Sequence, residues 1–468
     1  MKKGKNFSST LSFSFPSFED WREKANSSLK NGSLADLERT RWDGMPLPLT
    51  VDSNHKCIHL PAKHKTLRDD LGHPWEICQS YDSKSHLQKG LAHGVESVRI
   101  SNADLLDGII PGLVGLHIEG TKSTKALNSV TDWANGVEVS GSAIWDLSSG
   151  IPENPDEFVD HVRVWSSAMS KFFTWGIDAA NWQDRGMMAQ NALKCSMSAV
   201  SWGLKKLVES GLSLENAASK CSIRVAVSTD IIASAALVRG LRVAWATLID
   251  QMGGDGTNTP LRIEARTTTV LYTDENQNDN ILRNSVMGYS AVISGADSIE
   301  ICNHDHRNTE GENRSLRLSR NISHILREEA MLGRTNDPMG GSKHLDIATR
   351  WFATKALEGV DSDCDIQKDI LDGRKQWLTA PLFVPKDSKR GGKRLSSDAH
   401  ELFYVLDHSS EDLNVVESPI LERELFNSTF GKKSVSSEST AEGIDVPTSF
   451  NSCETQNHSG YKAGLIPF

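Results

Sequence analysis

The chain has 468 residues, 38% of them hydrophobic and 24% charged, a globular composition with length enough for a large core or for one barrel with extensions. A formal net charge of -10 and a pI near 5.9 exclude a general polyanion-binding surface, so nucleic acid is not an expected partner. No apolar run approaches the roughly 18 residues of a membrane span; the nearest, IIPGLVGL at 109–116, continues into the charged HIEG.

The chain begins MKKGKNFSSTLSFSFPSF, a basic, Ser-rich start with no acid before Glu19 and no apolar core of a secretory signal. Cytoplasmic localisation is the expectation, with organelle import as the other reading. Residues 1–60 hold one short amphipathic segment, FEDWREKANSSLKNGSLADLERTRW, where Phe18, Trp21, Leu29, Leu34 and Leu37 sit among charges and turn formers. So little apolar content cannot make a core, and the segment is expected to act as an arm that wraps over the rest.

From about residue 90 to 358, within an expected barrel domain of 61–385, the pattern becomes one of short apolar strands followed by helices. The strands read as VESVRIS, LVGLHIEG, SAIWDL, FFTWGID, CSIRVAVS and DSIEICN. The stretch RIEARTTTVLYTDENQNDN, at 262–280, has a charged strand-like start and opens through a polar loop into a helix. Asp230 is an N-cap for IIASAALVRGLRVAWATLIDQM, which Gly253 and Gly254 stop. In NRSLRLSRNISHILREEAM, Leu318, Ile322, Ile325, Leu326 and Ala330 line one face. Such alternation means an α/β fold with a parallel sheet under helices, and periodicity alone does not separate an open sheet from a closed barrel. No GxGxxG follows a first strand, so dinucleotide binding has no support. Beyond 385, KDSKRGGKR reads as a linker, SSDAHELFYVL as one helical stretch, and the tail from about 428 as too polar for a core.

Several motifs carry a sharp and a bland reading. HDHR at 304–307 has two histidines flanking an aspartate, but alternating neighbours converge poorly on one ion, so a loop cap is preferred. DPMGGS at 337–342 has the glycines and serine of a turn that caps a helix, and less readily of a phosphate cradle. His117 lines a barrel or sits hydrogen-bonded in the core. Seven scattered cysteines, with no CxxC pair, suggest neither a zinc site nor a disulfide framework.

The segments ILRNSVMGYSAVISGADSIEICNHD and LRLSRNISHILREEAMLGRTNDPMGGS, with LVRGLRVAWATL, ESGLSLENAA and PWEICQ, together resemble the methylmalonyl-CoA mutase family over roughly residues 15–385. The resemblance implies a (β/α)8 TIM barrel through whose axis active members thread the pantetheine arm of an acyl-CoA. It also implies three substitutions. The histidine that hydrogen-bonds the thioester carbonyl falls on Glu264, the tyrosine after PWEICQ on Ser80 with Tyr81 one position off, and the carboxylate-holding arginine on Lys205. A glutamate would repel an electron-rich carbonyl oxygen, and a salt bridge to Arg262, Arg266 or another barrel arginine is its preferred role. Lys205, in WGLKKLVESG, also has the look of a solvated helix face.

Active single-chain members end in a flavodoxin-like cobalamin domain with an Asp-x-His-x-x-Gly loop. DAHELF, at 398–403, puts Phe403 where that glycine belongs, and no complete cobalamin-binding domain is expected after 386. The implied reading is a non-catalytic small subunit with no cofactor or metal of its own. A large subunit would be its partner in a heterodimer and would hold adenosylcobalamin for the exchange of methylmalonyl-CoA and succinyl-CoA. The alternatives are a catalytic chain served by a separate cobalamin-carrying protein, and a stand-alone acyl-CoA binding barrel.

Overall fold

The computed structural model describes residues 17–30, 33–34, 43–51, 58–61, 74–119, 124–272, 277–305, 312–335, 337–360 and 362–377, with four short strands beyond 380. DAHELF, His306 and the first sixteen residues lie outside the described residues. Eight parallel strands close into a barrel in chain order: β1 (Glu76–Tyr81), β2 (Ser97–Ile100), β3 (Gly115–Ile118), β4 (Gly141–Asp146), β5 (Phe172–Asp178), β6 (Cys221–Val227), β7 (Arg262–Thr267) and β8 (Ser298–Glu300). β8 pairs back onto β1 through Glu76, Ile77 and Cys78. The expected TIM barrel is therefore present, and FFTWGID is β5 residue for residue. β1, quoted above only as a family motif, is a strand as well.

Alternation along each strand decides what the helices cover. Val98, Ile100, Leu116 and Ile118 face one outer apolar cluster, and Ile77, Ile223, Val225, Ile263 and Ile299 another. The residues between them point into the bore. Helices α1 (Phe18–Ser28), α2 (Lys84–Ala92), α3 (Thr124–Ala134), α4 (Pro155–Ala168), α5 (Ala179–Asp184), α6 (Ala189–Glu209), α7 (Leu214–Ala218), α8 (Ile231–Gln251), α9 (Asp279–Ile293), α10 (Glu312–His324), α11 (Lys343–Leu357) and α12 (Ile366–Trp377) follow. Asp230 caps α8, its carboxylate accepting from the Ala233 amide at 2.9 Å. Ser342 caps α11 after the DPMGGS turn, with Gly341 at φ +89° where a side chain would be strained. α8 is apolar and long enough to cross a membrane, but it is a core helix crossing α11, where Gly240 approaches so closely that a Cβ would meet Phe352 at 2.7 Å.

Two local expectations change. The predicted continuous helix ending at 331 gives way after His324 to a π-turn over Ile325–Glu329. The wider turn shifts the apolar face, so Ile325 is half exposed while Ile322 and Leu326 stay in the core. In the arm, Phe18 and Trp21 stack on each other at 5.8 Å and α1 buries no residue. The described docking contacts come later: Met45 enters the main core, and the Ile58 amide donates to Asp346 of α11 at 2.9 Å.

Candidate functional site: the barrel bore

The inward positions hold charge where a barrel interior is ordinarily filled with branched apolar side chains. At the N-terminal end, Arg262 of β7 makes a bidentate pair with Glu76 of β1, at 2.9 and 2.7 Å, and both side chains are fully buried. Phe173 of β5 lies under the same guanidinium, its ring centroid 5.2 Å away. Arg262 also donates through Nε to Glu264 at 3.3 Å. The other Glu264 oxygen accepts from Arg99 of β2. Further along, Glu300 of β8 accepts from Arg224 of β6 and from the Ser80 hydroxyl of β1, and Arg224 reaches Asp178 at 3.2 Å. At the mouth, Glu119 stands 3.8 Å from Arg99 and 3.7 Å from Arg224. Arg266, the other neighbour considered for Glu264, instead pairs with Asp184.

These bonds run across the ring. β2 and β7 are separated by β1 and β8, and β3 lies diametrically opposite β7. His117 on β3 nevertheless comes within 3.8 Å of the Glu264 carboxylate. A side chain from each side meeting at that distance leaves no passage at that level, so a pantetheine arm does not fit this bore. His117 is itself a histidine inside the bore, on the strand opposite Glu264. It faces an anion, with Nδ1 in a 2.7 Å hydrogen bond to Ser142 Oγ and Nε2 buried without a partner.

The electrostatics follow from the packing. Burial opposes ionisation of Glu264, but Arg99, Arg262 and Arg224 overcome it and hold the carboxyl well below the usual range. Glu300 behaves likewise: against burial, Arg224, Arg99 and the Ser80 hydroxyl bring it down to about 2. Burial pushes the His117 imidazole down to about 3, since Glu264 does not make up for lost water and the arginines repel a cation. Burial drives Cys78, beside Arg99, up to about 12, which makes it an inert thiol. Glu264 is therefore a fixed anion between two guanidiniums, unsuited to proton transfer near neutrality.

Of the three positions singled out in the sequence, the fold brings Glu264 and Ser80 into one network and leaves Lys205 outside it. Lys205 lies exposed on α6, the outer layer of the barrel. Tyr81 points away from the bore, its hydroxyl donating to Gln79 at 2.6 Å and filling the space above Gly90 of α2. The missed residues are Glu76, Arg99, Arg224 and Glu300. Their signal was a lone charge inside each apolar strand, at EIC, VRI, IRV and IEI. His304 caps its loop, with Nδ1 2.8 Å from Ser315 Oγ and its carbonyl accepting from Asn280. No metal-binding cluster occurs among the described residues.

The family model for methylmalonyl-CoA mutase matches residues 149–365. The methylmalonyl-CoA mutase small subunit of Propionibacterium freudenreichii subsp. shermanii is 32% identical over 181 residues, covering 38% of this chain and 28% of that protein. The small subunit of Streptomyces virginiae is 29% identical over 203 residues, 42% of this chain and 33% of the relative. The methylmalonyl-CoA mutase of Escherichia coli K12 is 22% identical over 266 residues, 56% of this chain and 37% of the relative. The matches thus span about a third of the length of these relatives. Over residues 149–365, a little under half of its length, the chain is similar to the methylmalonyl-CoA mutase family.

Proposed function

We propose that this chain is a small subunit of a methylmalonyl-CoA mutase, non-catalytic in itself. A large subunit would hold adenosylcobalamin and carry out the exchange between methylmalonyl-CoA and succinyl-CoA. The observation that carries the reading is the closed bore: Arg99, Glu264 and His117 occupy the axis along which the family's acyl-CoA would run. The similar proteins agree with it, since the relatives from Propionibacterium freudenreichii and Streptomyces virginiae are small subunits. The barrel's work is then to present a rigid outer surface to the large subunit, stabilising it by mass action and excluding water from the joint face.

The test is purification of the native chain under mild conditions, with its companions identified by mass spectrometry and its activity assayed. The expected result is a stoichiometric complex with a chain that turns over methylmalonyl-CoA, and no turnover by this chain alone. Turnover by the isolated chain after addition of a separate cobalamin-carrying protein would overturn the reading. So would tight acyl-CoA binding by a chain with no companion.

A further inference from the structure

The outward face of a surface helix is polar unless something covers it. On α9 it is apolar: Leu282, Val286 and Tyr289, spaced i, i+4 and i+7, are 68%, 38% and 37% exposed. They form one stripe along the helix. The neighbouring chain widens it. Where α10 passes into the π-turn, Ile325 faces out and is 50% exposed, while Leu326 beside it packs toward α9, its Cδ1 lying 3.1 Å from where a Cβ of Gly288 would stand. An exposed apolar face of this kind marks a docking surface.

The charges of α10 and its π-turn say what docks there. Arg314 and Arg317 are exposed near the start of α10, and Glu328 and Glu329 are exposed in the π-turn at its end. Glu328 is tied to Arg327 at 2.9 Å, which leaves Glu329 to face outward. The surface is thus positive at one end, negative at the other and apolar between. A face of one sign would call for a partner of the opposite sign, whereas this one is complementary to itself turned end for end.

Register supports the same pairing. The helices of a parallel barrel run side by side in one direction, and the contact of Leu326 with Gly288 sets Val286 level with about residue 324. That level is close to midway between Arg317 and Glu329. One two-fold axis crossing both helices there lays Val286 on Val286 of a second copy and Leu282 on its Tyr289. The same operation brings Arg317 opposite Glu329.

We propose that the face formed by α9 and α10 is an isologous interface through which two copies of this chain pair, each helix antiparallel to its own copy. Two helices about 22 Å long lying side by side cover roughly 900 Å² over both copies, the low end for specific association, so pairing is expected at micromolar concentration. The pairing goes beyond the subunit assignment and leaves the rest of the barrel surface to a large subunit.

Sedimentation velocity of the full-length chain, from about 1 to about 100 μM, tests it. Wild type should pass from monomer to dimer over that range. L282D should stay monomeric with an unchanged melting temperature, since the residue is exposed. R317E and E329R should each weaken pairing about tenfold, and R317E/E329R should recover it, because the exchanged charges still meet across the axis. Under mild oxidation V286C should give a 286–286 disulfide between two copies, which no other occupant of the face would produce. A wild type that stays monomeric, a double variant no tighter than either single one, or a V286C chain that forms no link between copies would overturn the proposal. If L282D instead abolishes a complex with the large subunit while wild type alone is monomeric, the face belongs to that joint, and the proposal falls with the subunit assignment intact.

Discussion

His117 is fully buried, neutral, and placed where its proton uptake is a direct report on the bore. Its folded value is about 3, whereas an unfolded histidine titrates near 6.5. Below about pH 6.5 the unfolded chain binds a proton here that the folded barrel refuses until pH approaches 3. Stability from this group is therefore complete above that upper value and drains away as pH falls, by up to about 1.4 kcal/mol per unit. Glu264 and Glu300, whose folded values are depressed, add stability that is present above the unfolded carboxylate range and lost only at more acid pH. The two contributions separate between pH 6.5 and about 4.5. In that window H117N should flatten the fall in urea midpoint that wild type shows. An unchanged slope would mean that the imidazole is solvated or charged in the folded state.

At the scale of elements, one arginine joins four pieces of chain. Arg239 of α8, with no exposed surface, donates to Asp346 of α11 at 2.9 Å, to Asp337 in the DPMGGS turn, and to Thr349 Oγ1 at 3.3 Å. Asp346 in turn accepts the Ile58 amide of the arm. Removing Asp346 strands part of a buried cation and unties the arm at once. D346A should cost about 3–5 kcal/mol in chemical denaturation and speed hydrogen exchange at Ile58. D337A should cost less, because Asp337 is partly exposed and Arg239 keeps its buried partner. Equal losses from the two variants, or an Ile58 amide that exchanges as before, would remove Asp346 as the joint. None of this clamp was visible in sequence, where Asp337 read only as part of a turn and Arg239 carried no reading of its own. The helix itself was legible from its cap and period. A partner 107 residues away leaves no periodic trace.

For the whole molecule, the limits of sequence reading have the same origin. Strand-helix alternation follows from local periodicity and was legible, and so was the preference of Glu264 for an arginine. Closure of the ring is a non-local fact and came only through resemblance. Which charges meet inside the ring depends on register: Arg224 stands beside Glu264, and Arg99 beside His117. Three arginines, Arg99, Arg224 and Arg262, face three glutamates, Glu76, Glu264 and Glu300, across the bore, so each substitution there changes the balance of the set. Placing at 264 the histidine that the sequence resemblance implies for active members is the sharpest test of what closes the bore. Arg262 would keep its bidentate partner Glu76. Arg99 would be left with carboxylates no nearer than 3.8 Å, in Glu300 and Glu119. E264H should therefore lose about 3–5 kcal/mol, as expected for a buried charge deprived of its partner. It should also give no heat with methylmalonyl-CoA in calorimetry, because Arg99, Arg224 and His117 still occupy the axis. A variant that holds its urea midpoint and binds the thioester would show that Glu264 alone blocks the bore, and that the surrounding arginines yield to a ligand.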